Sequence, residues 1–165
     1  MKNKKLLLFV LITVLLLFFC YFSIQIVVKS KQKVIINATA QKLPTFSKKD
    51  SLLIKKISSV FIAFHPDCEH CQYEAKSINE RYADLQNTNV VLFTSANDSL
   101  TKAFSHTYGL DTLKNVHVLS DEKDEMHKLF GVKTIPTIFI YNKEGNLMKQ
   151  YKGETKIDAI IKAIQ

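Results

Sequence analysis

Residues 60–71 read Val60-Phe61-Ile62-Ala63-Phe64-His65-Pro66-Asp67-Cys68-Glu69-His70-Cys71: five apolar residues, a turn containing proline, and a Cys-x-x-Cys pair. A continuous apolar run of this length is the pattern of a strand buried on both faces of a largely parallel sheet. The next stretch is helical. From Cys71 the apolar positions Ala75, Ile78, Tyr82 and Leu85 recur at steps of four, three, four and three, a single stripe along one helical face. The cysteines therefore stand where a buried strand turns into a helix. That junction suits thiol chemistry, because the first turn of a helix leaves N–H groups unpaired and carries a partial positive charge, which lowers a thiol pKa from about 8.5. Cys68 holds that position. Cys71, one turn further in and at the head of the stripe, is expected to be shielded and to act second, attacking a mixed disulfide. Between them, His70 favours the Cys68 thiolate when protonated, whereas Asp67 and Glu69 oppose it. Glu69 and His70 are thus the expected tuners of the thiol, with the net sign open.

Downstream of this stretch, strands and helices alternate. Residues 90–93 repeat the buried-strand pattern, and Leu100, Ala103, Phe104 and Tyr108 give a second helical stripe before Gly109. Residues 116–119 read as a short strand, after which Ser120 or Asp121 is placed to cap a helix that carries Met126, Leu129 and Phe130 and stops at Gly131. Residues 137–141 are strand again. Asn142-Lys143-Glu144-Gly145 signals a turn, residues 147–151 return antiparallel, and Ile157, Ile160, Ile161 and Ile164 close the chain as an amphipathic helix. The order predicts an α/β fold, a mixed sheet with helices on both faces. Thr134-Ile135-Pro136-Thr137 sets a proline at the start of a buried strand, where a cis peptide bond is the natural expectation.

Upstream, residues 6–28 are apolar except for Thr13, Ser23, Gln25 and the mildly polar Cys20 and Tyr21. As a helix they reach roughly 34 Å, enough for a hydrocarbon core of about 30 Å. No small-x-small cleavage site precedes Lys29, so an uncleaved anchor is expected rather than a signal peptide. Three lysines flank the span on each side. Lys2, Lys4 and Lys5 with the amino terminus favour an N-inside orientation, and hence an extracytoplasmic domain on a single-pass inner or plasma membrane protein. The expected organisation is an anchor with its flanks over residues 1–33 and one domain over residues 34–165. The first 33 residues hold six lysines and no acid, so only +2 of the formal +8 belongs to the domain. With Arg81 the only arginine, no nucleic-acid partner is expected.

Three landmarks over residues 43–165 resemble the thioredoxin superfamily, and within it the TlpA/ResA-like and AhpC/TSA-type redoxins. They are Leu43-Pro44-Thr45-Phe46, then Cys68-Glu69-His70-Cys71, then Gly131-Val132-Lys133-Thr134-Ile135-Pro136-Thr137 with Asn142-Lys143-Glu144-Gly145 after it. The βα unit around residues 90–115 is similar to that subgroup as well. The resemblance implies a thioredoxin-like fold and a thiol-disulfide oxidoreductase, with Cys68 attacking, Cys71 resolving, and Thr134, Ile135 and Pro136 shaping a groove for the substrate backbone. It also implies exported protein thiols and disulfides as substrates, an upstream redox donor or acceptor, and no cofactor beyond a Cys68–Cys71 disulfide. Glu69 is similar to the reducing members, and His70 beside Cys71 to an oxidising dipeptide; a reductase is the favoured direction. The chain departs from the pattern at several positions. Asp67 replaces the usual aromatic residue before the first cysteine, no tryptophan is present, and the buried acid of thioredoxins is replaced by Ile62. His65 stands where a peroxidase would carry threonine or serine, which disfavours peroxidase activity. The alternative function is copper or zinc binding and delivery through Cys68, Cys71 and the nearby His65 and His70.

Overall fold

The computed structural model describes residues 11, 13–25 and 57–165. Contacts divide the chain into two units, Met1–Asn37 and Ala38–Gln165. In the first, residues 13–25 are helical (α1), and the apolar side chains of Val14, Leu15, Leu16, Leu17, Phe18, Phe19, Phe22 and Ile24 are all exposed. Among the described residues no helix is long and apolar enough to cross a membrane, and the expected span at residues 6–28 runs outside them at both ends. The expected opening Leu43-Pro44-Thr45-Phe46 also lies outside the described residues.

The second unit is built on a five-stranded sheet in the order β3-β2-β1-β4-β5. Its strands are β1 (Ser59–Ala63), β2 (Asn89–Thr94), β3 (Val116–Ser120), β4 (Thr137–Tyr141) and β5 (Leu147–Lys152). β1, β2 and β3 are parallel neighbours, while β4 runs antiparallel to β1 and β5 antiparallel to β4. The parallel pairs follow from the helical crossovers between their strands. The antiparallel return follows from the turn after β4, where Gly145 adopts φ 76 and Asn142 Oδ1 accepts the N–H of Asn146 at 2.8 Å.

Every residue of β1, β2 and β4 is buried, because both sheet faces are covered. On one face Val60, Ile62, Val90, Leu92, Ile138 and Ile140 meet α2 (Glu69–Glu80), α4 (Asp98–Thr107) and α6 (Ile157–Ile164). On the other, Phe61, Ala63, Val91, Phe93, Phe139 and Tyr141 pack around Phe130 of α5 (Glu125–Phe130). Each fully buried Ile or Phe contributes roughly 1.5–3 kcal/mol.

Two local expectations are corrected. The stripe from Cys71 to Leu85 is not one helix: α2 stops at Arg81 (φ −109, ψ 24) and a single turn, α3 (Tyr82–Leu85), continues it. Arg81 is held off the helical path by its guanidinium, which bonds Asp84 at 2.8 Å and Asp158 of α6 at 2.6 Å. The second correction concerns α5, whose N-cap position is Asp124, in the left-handed region at φ 55. Asp121 nevertheless serves the helix, since its carboxylate accepts the N–H groups of Met126 (3.1 Å) and His127 (3.0 Å), while Ser120 Oγ turns instead to the Ala96 carbonyl.

Candidate active site

β1 delivers the chain to the site. Beyond Ala63, Phe64 donates its N–H to the Phe93 carbonyl, and Cys68 closes a turn by donating to His65 O at 3.1 Å. Gln72 pins this turn from the helix side, with Nε2 on the Pro66 carbonyl at 2.8 Å. Cys68 is the N-cap of α2, in extended geometry, and its own carbonyl accepts the N–H groups of Cys71 (2.9 Å) and Gln72 (3.0 Å). No side chain caps this helix end, so the Cys68 sulfur sits at the positive end of α2.

Both cysteines are free thiols, Cys68 half-buried and Cys71 buried. Burial pushes the Cys71 thiol up to about 12, the hydrogen bond it gives Cys68 pushes the same way, and the His65 backbone N–H opposes them. Cys71 is therefore a protonated, sheltered partner that must lose its proton before it can attack.

A group that can take that proton lies one helical turn on. Glu74 is fully buried; its Oε1 accepts the Thr155 N–H at 2.6 Å and its Oε2 has no hydrogen-bond partner. Burial raises its pKa to about 7, the charge of Glu154 adds to the rise, and the Thr155 bond opposes it. Its charge acts in turn on Cys71. A carboxyl that exchanges protons near neutrality beside a thiol that must lose one is an acid–base pair. The sequence reading missed Glu74, although a signal was present: it lies three residues beyond Cys71, on the stripe that Ala75 and Ile78 extend, where a charged residue is out of place.

The strand register brings the remaining expected residues to the same end of the sheet. Ala63, at the exit of β1, pairs with Thr137 at the entry of β4, so Thr134, Ile135 and Pro136 precede β4 where the Cys68 turn follows β1. The Ile135–Pro136 bond is cis, Pro136 is buried, and Thr134 and Ile135 are exposed. The Thr134 carbonyl accepts from Thr137 Oγ1, and that of Pro136 from the Gly153 N–H at 2.8 Å. Glu69 and His70 are both exposed, and His70 is engaged elsewhere, with Nδ1 at 2.5 Å from Glu154 Oε2.

Among the described residues, the one group of three or more metal-type ligands within 4.8 Å of one another is Asp121, Asp124 and His127. Neither His65 nor His70 is brought to that distance of both sulfurs, so the alternative copper or zinc set lacks a third ligand.

The AhpC/TSA family model matches residues 32–150. The chain is 31% identical over 111 residues to the thiol-disulfide oxidoreductase ResA of Bacillus thuringiensis subsp. konkukian, an alignment covering 65% of this chain and 62% of that protein. It thus spans less than two thirds of the length of this relative. Among solved structures it is similar to StoA from Bacillus subtilis (TM-score 0.56, 20% identity, 67% of this chain and 84% of that one). It is equally similar to peroxiredoxin 6 of Arenicola marina (TM-score 0.62, 15% identity, 76% and 70%). At these identities the likeness establishes a thioredoxin-like fold, and the choice of chemistry falls to the site.

Proposed function

The chain belongs to the AhpC/TSA family, and from that membership we propose that it is a thiol-disulfide oxidoreductase whose redox pair is Cys68 and Cys71. One observation carries the reading: a half-buried cysteine at a helix N-terminus, hydrogen-bonded to a buried cysteine that has a half-satisfied, proton-exchanging carboxyl one turn below it. In the reducing direction, Cys68 as thiolate attacks one sulfur of a client disulfide, and the other client sulfur leaves as a thiolate. Cys71 then gives its proton to Glu74 and attacks the Cys68 sulfur. The mixed disulfide breaks, the client leaves with both sulfurs reduced, and a Cys68–Cys71 disulfide remains, two electrons having passed to the client. An upstream dithiol donor restores the pair.

The reducing direction is supported by the Cys71 shift. A stabilised thiolate makes a disulfide oxidising, and burial here acts against the Cys71 thiolate. The exposed Thr134 and Ile135, beside the buried Pro136, are the surface on which we place the client backbone. His65, where a peroxidase would carry threonine or serine, speaks against peroxide as substrate.

We also place residues 6–28 in a membrane as a single-pass anchor of the inner or plasma membrane, with the redox domain on the extracytoplasmic side. The support is α1, whose apolar side chains are exposed all round, a surface that suits lipid and not water. Clients are then exported proteins.

Trapping tests the reading. In a Cys71→Ser chain the mixed disulfide has no resolving thiol, so expression in a bacterial host followed by non-reducing electrophoresis is expected to show covalent adducts through Cys68 that dithiothreitol releases. A Cys68→Ser,Cys71→Ser chain forms none. Equal adducts from both chains would contradict the assignment.

A further inference from the structure

Three consecutive residues of the β5–α6 connector each hold a different part of the site. Gly153 gives its N–H to the Pro136 carbonyl at 2.8 Å, Glu154 meets His70 Nδ1 at 2.5 Å, and Thr155 gives its N–H to Glu74 at 2.6 Å. Thr155 Oγ1 folds the connector onto itself by donating to the Gly153 carbonyl at 3.1 Å. Gly153 and Thr155 grip the site through backbone N–H groups, which most residue types supply. Glu154 alone does so through its side chain. Its partner is the variable residue next to Cys71, 84 positions earlier in the chain.

We propose that Glu154 is a positioning residue for the dithiol: it holds His70 against the connector and so sets both the charge facing Glu74 and the place from which Thr155 binds it. The inference rests on the exchange reading above and assigns a part in it to a residue outside the Cys-x-x-Cys loop. An exposed ion pair of this kind adds little to folding stability, with the two side chains 66% and 45% exposed, so its value lies in geometry and field. The charge of Glu154 acts on Glu74 in the direction that keeps it protonated. A proton on His70 offsets that charge, so the state of a solvent-facing imidazole is relayed to a buried carboxyl and, through it, to Cys71. The other charged groups around Glu74 are few. Cys71 faces it on α2, Asp158 of α6 is bound to Arg81, and Lys156 is exposed.

The test is the titration of the Glu74 carboxyl in the reduced full chain, in detergent, by carbon NMR of glutamate-labelled protein, the resonance being assigned by its loss in Glu74→Gln. Glu154→Gln is expected to lower the Glu74 midpoint by about half a pH unit or more. His70→Asn is expected to raise it while Glu154 is present and to leave it unmoved in the Glu154→Gln background. A midpoint indifferent to Glu154→Gln overturns the proposal, and so does a His70→Asn effect that is the same, or absent, in both backgrounds. The two readings fail separately: a wild-type chain that exchanges no disulfide overturns the function proposed above, whereas the titration alone decides the part played by Glu154.

Discussion

Burying the Glu74 carboxyl with one oxygen unpartnered is a cost to folding, and the cost has a pH signature. Its pKa is 4.5 without the fold and about 7 with it. The folded state therefore binds more protons than the unfolded one between those values. Stability falls as pH rises through that window, and the penalty, on the order of 3 kcal/mol, is complete above about pH 7. Glu74→Gln keeps an oxygen for the Thr155 N–H and cannot ionise. It is expected to match wild type near pH 4.5 and to exceed it at pH 8 in urea denaturation, while the resolving step slows on the order of 10²-fold for want of a proton acceptor. A variant that is more stable and less active marks a residue kept for chemistry. The two cysteines were legible from their spacing and their place between strand and helix. Glu74 was not, because periodicity says which face of α2 is buried but not what covers it. The cover is Thr155, 81 positions away. The same distance in sequence hid Glu154 behind His70.

Among the elements, α5 shows how a short helix is held when its formal cap gives it nothing. Asp124 makes no side-chain cap bond, and Asp121 supplies the acceptors from outside the helix, binding two backbone N–H groups and His127 Nδ1 at 2.7 Å. Burial opposes the Asp121 charge, but the bonds from the His127 side chain and from both backbone N–H groups outweigh it and hold the carboxyl below its ordinary value. Its stabilisation is thus full at neutral pH and is lost as pH falls through the lowered pKa. Asp121→Ala is expected to cost about 1–2 kcal/mol at pH 7, and the gap from wild type should narrow in thermal melts taken near pH 3. Helix and strand types were readable from apolar periodicity throughout the described domain. The break at Arg81 was not, because its cause is an ion pair to Asp158, on a helix that the local pattern of α2 does not mention.

At the scale of the whole molecule, five strands and their crossovers converge on one end of the sheet, and the parts of the site arrive there on separate segments: the Cys68 turn after β1, the Pro136 loop before β4, and the connector after β5. The alternation of buried strands and amphipathic helices made this topology legible, since helical crossovers demand parallel strands and a tight turn demands an antiparallel one. Charge was equally legible: the six lysines of residues 1–33 set them apart from a domain that is nearly neutral. If residues 6–28 anchor the chain, the full-length protein pellets with membranes and resists alkaline carbonate extraction, while a chain beginning at residue 34 stays in the supernatant. A full-length protein extracted by carbonate would contradict the anchor. The central claim, that Cys68 and Cys71 form a reducing dithiol, is tested most directly by the reduction potential of the full chain equilibrated in dithiothreitol or glutathione buffers. A reversible two-electron couple well below about −200 mV is the expected result. A couple near about −120 mV would contradict the direction of transfer, and the failure of any Cys68–Cys71 disulfide to form would contradict the claim itself.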